Sequence, residues 1–373
     1  MNKTEKSPNN VNITFLGQLW SAIKRPLLGI FLGLLAGGLL IASSGVNPID
    51  AYVAMARGAF SSLQSFSNVL VRSSPLLLGG VGVAIGIKSG VWNIGTEGYM
   101  YMGALGAATV GILPLNIPPF LHIILCFFAG AIAAGIWGFI PGYLRAYHGV
   151  NEVTVTIMMN YAAQYFCSWM VHEPQFMAEP GSFFPMSLSI AQTAKLPILM
   201  RGTSLHPGFI IGIVLCIIFF LIIRLTSFGF QIRMLGTNPE AARYAGVNTK
   251  KQILTVFIVG AMLGGLAGTI EILGLKYRVY MDFVAGVGNE SVAVALLANG
   301  NPIGVIASAL FLSALKVGGA TMSISTGVGG PATTIIIALC VLFVIAMGHS
   351  EPKRFLRLNK EGKKDVEVKQ DVS

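Results

Sequence analysis

Three short stretches set polar side chains at regular places among residues that are otherwise apolar. In WNIGTEG, Trp92 to Gly98, an amide, a glycine and a carboxylate follow one another at Asn93, Gly95 and Glu97. In GVGNESV, Gly286 to Val292, the same types return as Gly288, Asn289 and Glu290. In VNEVTVTIMMNYAAQYF, Val150 to Phe166, the residues Thr156, Asn160 and Gln164 stand four apart with Asn151 near their N-terminal end, so a helix gathers them into one polar stripe. Amides and hydroxyls at this spacing hydrogen-bond a polar solute or a neighbouring helix; they do not break bonds. The spacings needed for a Ser/His/Asp triad, a metal centre or a paired-carboxylate acid and base are missing. Cys126, Cys167, Cys216 and Cys340 each sit inside an apolar run without a pairing pattern, and the five histidines are scattered, which argues against a metal site.

Both Gly/Asn/Glu stretches precede a short apolar helix, and a helix that begins inside a membrane opens a row of unpaired backbone N–H groups. Matched interruptions of this kind point to a solute pathway. Two readings of Glu97 and Glu290 stand side by side: they line such a pathway, or each caps its own helix at the membrane edge.

A fourth stretch, LGTNPEAARYAGVNTKKQ, Leu235 to Gln252, is polar and lies between long apolar runs. Asn238 suits an N-cap, Pro239 the first helical position, Glu240 the positive end of the helix dipole, and Gly246 a left-handed C-terminal position. Glu240 and Arg243 are spaced for an i,i+3 pair. A helix of about two turns is too short to stand alone in water, so other contacts must hold it. Ala241, Ala242 and Ala245, with Tyr244 beside them, would let it sit close in a groove, either on the protein's own spans or on a partner.

The elements that must position these residues follow from composition. Hydrophobic residues make up 54% of the 373 residues and charged residues 11%, against about a quarter in soluble domains. Apolar runs fall at residues 27–44, 69–87, 95–112, 119–141, 152–171, 207–225, 252–275, 284–298, 302–320 and 331–348. The first is long enough to span a bilayer and is read as a retained span rather than a signal peptide. The expected fold is an all-α integral membrane protein of about ten transmembrane helices, built as two inverted five-helix repeats with discontinuous helices. The net charge of +10 sits mainly between spans and at the termini, a topology signal and not a nucleic-acid face. Lys24, Arg25, Lys88, Arg145, Arg224, Arg233, Arg243, Lys250, Lys251, Lys353, Arg354 and Arg357 share one side if both termini are cytoplasmic; Arg57 and Arg72 break that scheme. The division that follows is a cytoplasmic segment 1–25, a transmembrane domain 26–348 and a cytoplasmic tail 349–373. Within it lie an external loop near 172–206, irregular because of its prolines, a cytoplasmic loop near 226–251, and, over Ile49 to Leu63, either an interfacial helix or a plain linker.

The fourth stretch also carries a resemblance. GTNPEAARYAGV resembles the cytoplasmic coupling loop of permease subunits of ATP-binding-cassette importers, in the superfamily that serves branched-chain amino acids, simple sugars and nucleosides. WNIGTEG is similar to that family's N-I-G-x-E-G signature. NEVTVTIMMNY, Asn151 to Tyr161, and VAVALLANGNPIG, Val292 to Gly304, resemble patterns of its nucleoside branch. GVGNESV departs from the family's G-x-G-F-x-G-I. The resemblance runs from about Asn47 to Met347.

It implies a permease that binds no cofactor itself. A separate ATPase subunit uses ATP, a second permease subunit completes the pathway, a substrate-binding lipoprotein delivers solute, and the whole sits in the lipid of a bacterial plasma membrane. Asn238, Pro239, Glu240, Ala241, Ala242, Arg243 and Gly246 would dock in the ATPase. Asn93, Glu97, Asn151, Asn160, Gln164, Asn289 and Glu290 are the candidate pathway residues. GIKSG, Gly86 to Gly90, lacks the glycine before Lys88 that a phosphate loop requires. Nucleoside import is the expectation. Branched-chain amino acids or sugars are the alternatives within the class, and a proton-coupled transporter using Glu97, Glu271 or Glu290 lies outside it.

Overall fold

The computed structural model describes residues 9–173, 176–284 and 286–349, with side chains from Pro26 to Met347. Residues 1–8, the tail from 350 with Lys353, Arg354 and Arg357, and Pro174 lie outside the described residues. In chain order the helices are α1 (Asn9–Ser43), α2 (Pro48–Phe60), α3 (Leu63–Lys88), α4 (Thr96–Gly111), α5 (Pro119–His148), α6 (Glu152–His172), α7 (Gly208–Leu225), α8 (Ser227–Thr237), α9 (Pro239–Tyr244), α10 (Thr249–Glu271), α11 (Val287–Leu297), α12 (Pro302–Thr326) and α13 (Pro331–His349). The described residues outside helices form turns and two isolated bridges.

Each of the ten apolar runs falls on a helix. Six helical stretches are long and apolar enough to cross a bilayer by themselves: Pro26–Ser43, Leu63–Lys88, Pro119–His148, Gly208–Leu225, Thr249–Lys276 and Pro302–Thr326. Helices α4 and α11, with 16 and 11 residues, are shorter, as expected where a chain enters a membrane by a break. Helix starts follow local chemistry. Asn47, Ser62, Asn151, Thr226, Asn238, Asn248 and Asn301 each accept backbone N–H groups of the turn that follows, and Pro48, Pro239 and Pro302 take first positions where no donor is needed.

Two compact units make up the chain. One holds α1 to Leu39 and α13 from Ile335; the other is Leu40–Thr334. In the first, the bare Cα of Gly33 faces Cys340, so that a methyl there would stand 2.5 Å from the Cys340 Cα. In the second, α10 packs on α3, α4 and α5. The backbones come close at Gly265, which leaves no room for a side chain at Gly103 of α4. Thr269 Oγ1 donates to the carbonyls of Gly265, 3.0 Å, and Gly103, 3.3 Å, closing the same seam.

Of the stretch Ile49 to Leu63, residues up to Phe60 lie in the helix α2. The stretch 226–251 holds more helix than the sequence suggested: α8 fills its first half, begun by the Thr226 cap. Among its described residues the connection from Glu173 to Pro207 carries one helical element, the three-residue 3₁₀ turn Gln192–Ala194. It is tied to the segment after α10, where Ser187 N donates to Val279 O at 2.7 Å, Ile190 N to Tyr277 O at 3.0 Å and Leu196 N to Leu273 O at 2.9 Å. Arg278 pairs with Glu179 across the same contact. His206 closes this connection, buried beside Gly274, with Nδ1 accepting Gly208 N at 3.2 Å. Burial there pushes its imidazolium down to about 4.

Candidate functional site

The two breaks are built differently. α3 ends at Lys88, and Gly90 turns the chain with φ +72°, a left-handed value open to glycine. Asn93 is buried, and its Oδ1 accepts the Gly95 N–H at 3.1 Å and the Tyr99 hydroxyl at 2.9 Å, which fixes the turn into α4. The second break begins where α10 loosens into a π-turn, Ile272–Lys276, and runs through left-handed Tyr277 and Asp282 to left-handed Gly286 ahead of α11.

Asn160 of α6 reaches the first break. Its Oδ1 accepts the Gly98 N–H at 2.8 Å and its Nδ2 donates to Ile94 O at 2.9 Å. One amide thus satisfies a donor of the α4 N-terminus and an acceptor just ahead of it. Gln164, one turn further along α6, donates through Nε2 to Asp282 Oδ1 at the second break. The stripe therefore spans both breaks.

Glu97 does not cap its own helix. Its Oε1 accepts the N–H of Gly286 at 3.1 Å and its Oε2 the Asn289 amide at 3.0 Å, so a carboxylate on α4 caps the start of α11. Gly288 packs on the Glu97 backbone, which brings the two N-terminal turns together. Glu290 turns elsewhere: it pairs with Lys316 of α12 at 2.7 Å and with Arg72 of α3 at 3.5 Å. The structure thus joins Glu97 with Asn289, Asn160 with the first break and Gln164 with the second. Asn151 stands apart as the exposed N-cap of α6, accepting Val153 N at 3.0 Å. Its neighbour Glu152 pairs with Arg145 at 3.2 Å and accepts Trp92 N at 3.4 Å, which moors the first break to the α5–α6 turn.

Asp282, Arg72 and Lys316 were not among the sequence candidates. Lone charges inside long apolar helices are a readable signal, since an ionisable group in a membrane is expensive and normally has a partner. Arg72 stood out only as an exception to the orientation rule, and its partner on α11 accounts for it. Asp282 gave no such signal. Among the described ion pairs neither Asp282 nor Glu97 has a cation; amides and a backbone N–H hold them instead. Exposed Asn289 and half-buried Gln164 leave amide groups open beside them. Amides and carboxylates of this kind can hydrogen-bond a neutral polar solute.

The polar stretch after α8 forms the short helix expected of it. Asn238 Oδ1 accepts Glu240 N at 3.0 Å and Ala241 N at 3.1 Å, and Gly246 takes φ +83°. Ala242 is its only buried side chain, while Glu240, Ala241 and Arg243 are exposed and Tyr244 is 93% exposed. The ion pair for which Glu240 and Arg243 are spaced does not form among the described residues.

The family model described as branched-chain amino acid transport system / permease component matches residues 65–346. The guanosine ABC transporter permease protein NupP of Bacillus subtilis is 35% identical over 347 residues, covering 90% of this chain and 97% of that protein. The glucose ABC transporter permease protein TsgB13 of Haloferax volcanii is 32% identical, over 87% of this chain and 88% of its own. The nucleoside ABC transporter permease protein NupB of Lactococcus lactis is 30% identical, over 86% and 89%. No solved structure matches the chain.

Proposed function

The chain belongs to the family of branched-chain amino acid transport system permease components, a multi-pass membrane protein, and from that premise we propose that it forms the translocation pathway of a nucleoside importer driven by ATP. The observation that carries the solute is the 35% identity to a permease named for guanosine, across nearly the whole length of both chains. The site chemistry supports it. Ribose hydroxyls and base edges offer neutral donors and acceptors, matching Gln164, Asn289 and the carboxylates Glu97 and Asp282, which have no cation among the described ion pairs. A sugar is the second reading, favoured by the 32% identity to a permease named for glucose.

The layout is two inverted repeats crossing the membrane ten times. The order long helix, break, short helix, long helix, helix occurs in α3–α6 and again in α10–α13, which supports this reading. Both termini are cytoplasmic. The pathway is completed by a second permease chain and fed by a lipoprotein, and ATP is hydrolysed by a separate subunit gripping α9. The support for α9 is its exposure: a six-residue helix held by one buried alanine presents Glu240, Arg243 and a bare tyrosine. ATPase closure moves the permease only if the ATPase binds its two states unequally.

The test is uptake of radiolabelled guanosine by the reconstituted transporter, with competition by other nucleosides, glucose and leucine. Guanosine uptake that glucose does not compete supports the nucleoside reading, and the reverse establishes the sugar. Replacing Glu240 and Arg243 with Ala together is expected to leave the complex assembled while ATP hydrolysis loses its response to solute. A normal response would remove α9 from the coupling role.

A further inference from the structure

Helix α8 is fixed near both ends by backbone contacts that leave no room for a side chain. At its start, Gly229 lies against the carbonyl oxygens of Ile222 and Ile223 near the end of α7, and its N–H donates to Thr226 Oγ1 at 3.1 Å. At its end, Gly236 lies against the carbonyl of Lys88, the last residue of α3. A methyl on Gly236 would run into that oxygen and stand 3.0 Å from the carbonyl carbon. From the other side, a methyl on Gly90 would stand 3.3 Å from the Gly236 Cα. Gly90 also serves its left-handed φ of +72°. Gly236 has no such need: it lies within α8, where alanine is the better helix former, so its small size serves the contact.

The two segments that meet here have different surroundings. Two residues after Gly236, Asn238 donates its N–H to Met234 O at 3.0 Å and caps α9 with its side chain, so one residue ends α8 and begins α9. Lys88 to Gly90 open the first break, and from there the chain is tied step by step: Val91 N to Gly86 O at 3.0 Å, Trp92 N to Glu152, Asn93 to Gly95 and Tyr99, and Ile94 O to Asn160. Ile232 and Leu235 are buried on α8, whereas α9 buries Ala242 alone. A helix seated by its backbone passes a displacement to its neighbour with little give, because close-packed groups resist compression and transmit strain.

We propose that Gly236 is a positioning residue for energy coupling: α8 bears on the first break through the backbone contact of Gly236 with Lys88 and Gly90. A displacement of α9 then reaches the turn that sets Asn93, and through α4 the Glu97 cap on α11. This rests on the reading of α9 as the element the ATPase grips, and adds the route by which that grip reaches the candidate pathway.

The experiment uses the complete reconstituted transporter. Gly236→Ala is expected to leave the ATPase bound and to lower solute uptake per ATP hydrolysed about fivefold or more, the ratio that the low end of an overpacking penalty gives. A weakened helix would not be the cause, since alanine favours α8. Hydrogen–deuterium exchange over residues 86–95, where Val91 and Gly95 N–H are hydrogen-bonded, supplies a second readout that needs neither the variant nor the solute. Trapping with ATP and vanadate is expected to alter this exchange in the unmodified transporter and to leave it unaltered in Gly236→Ala. Exchange that ignores trapping in the unmodified transporter, or a Gly236→Ala transporter with wild-type uptake per ATP, overturns the proposal. The reading of α9 fails separately: normal coupling in Glu240→Ala with Arg243→Ala places the grip elsewhere, whereas normal coupling in Gly236→Ala beside lost coupling in that double variant removes only the Gly236 contact. If Gly236→Ala does not assemble, the exchange in the unmodified transporter decides.

Discussion

Asn160→Leu is the most direct check on the site's construction. The side chain makes two contacts, at 2.8 Å with Gly98 N–H and 2.9 Å with Ile94 O, and leucine can replace neither. Both orphaned groups belong to main chain packed among helices, since Asn93 and Gly98 on either side are buried. An unsatisfied buried group costs about 1–3 kcal/mol, but polar contacts between membrane helices average nearer 0.6 kcal/mol because the disrupted state finds other partners. Two lost contacts together then cost about 1–6 kcal/mol. Asn160→Asp keeps the acceptor for Gly98 N–H and sets a second oxygen against the Ile94 carbonyl, so it is expected to fall between wild type and leucine. The assay is thermal unfolding of the permease in nanodiscs, read beside solute uptake. An Asn160→Leu protein that unfolds at the wild-type temperature yet fails to transport would refute the reasoning, because the side chain would then serve solute and not the first break.

Two further outcomes follow from packing and titration. Gly103→Ala sets a methyl against the Gly265 backbone and should cost about 1–3 kcal/mol or more, seen as reduced assembly in membranes. Gly330→Ala, where nothing lies within 4 Å, should be neutral, and equal behaviour of the two would contradict the close approach of α4 and α10. His206 titrates near 4 when folded against 6.5 otherwise, so its contribution is fully present above about pH 6.5 and is lost as pH falls toward 4. At pH 5 that loss is about 2 kcal/mol, and His206→Gln should flatten the decline in unfolding temperature between pH 7.5 and 5. A variant with the wild-type slope would exclude His206 as its source.

Much of this protein is written locally. The ten helical runs needed only hydropathy, and the α9 helix needed only Asn238, Pro239 and Gly246, because caps and turns act over a few residues. The polar stripe of α6 was legible because helical periodicity fixes which residues share a face. α8 escaped notice because its residues carry no long apolar run; a threonine cap and packing against α7 define it.

What each polar group meets was decided elsewhere. Nothing in WNIGTEG says that Glu97 caps α11, 189 residues further on, or that Asn160 holds Ile94 and Gly98 across 66 and 62 positions. Nor does the sequence assign Arg72 to Glu290, 218 positions away. Spacing along one helix fixes direction, but the partner depends on which backbones can approach, and here glycine seams such as Gly103 with Gly265 set those approaches. The sequence by itself therefore determined the class, the helices and the face of α6 that carries the amides. Only the tertiary structure decided which carboxylate holds which break, because a buried charge takes the partner that packing brings within reach.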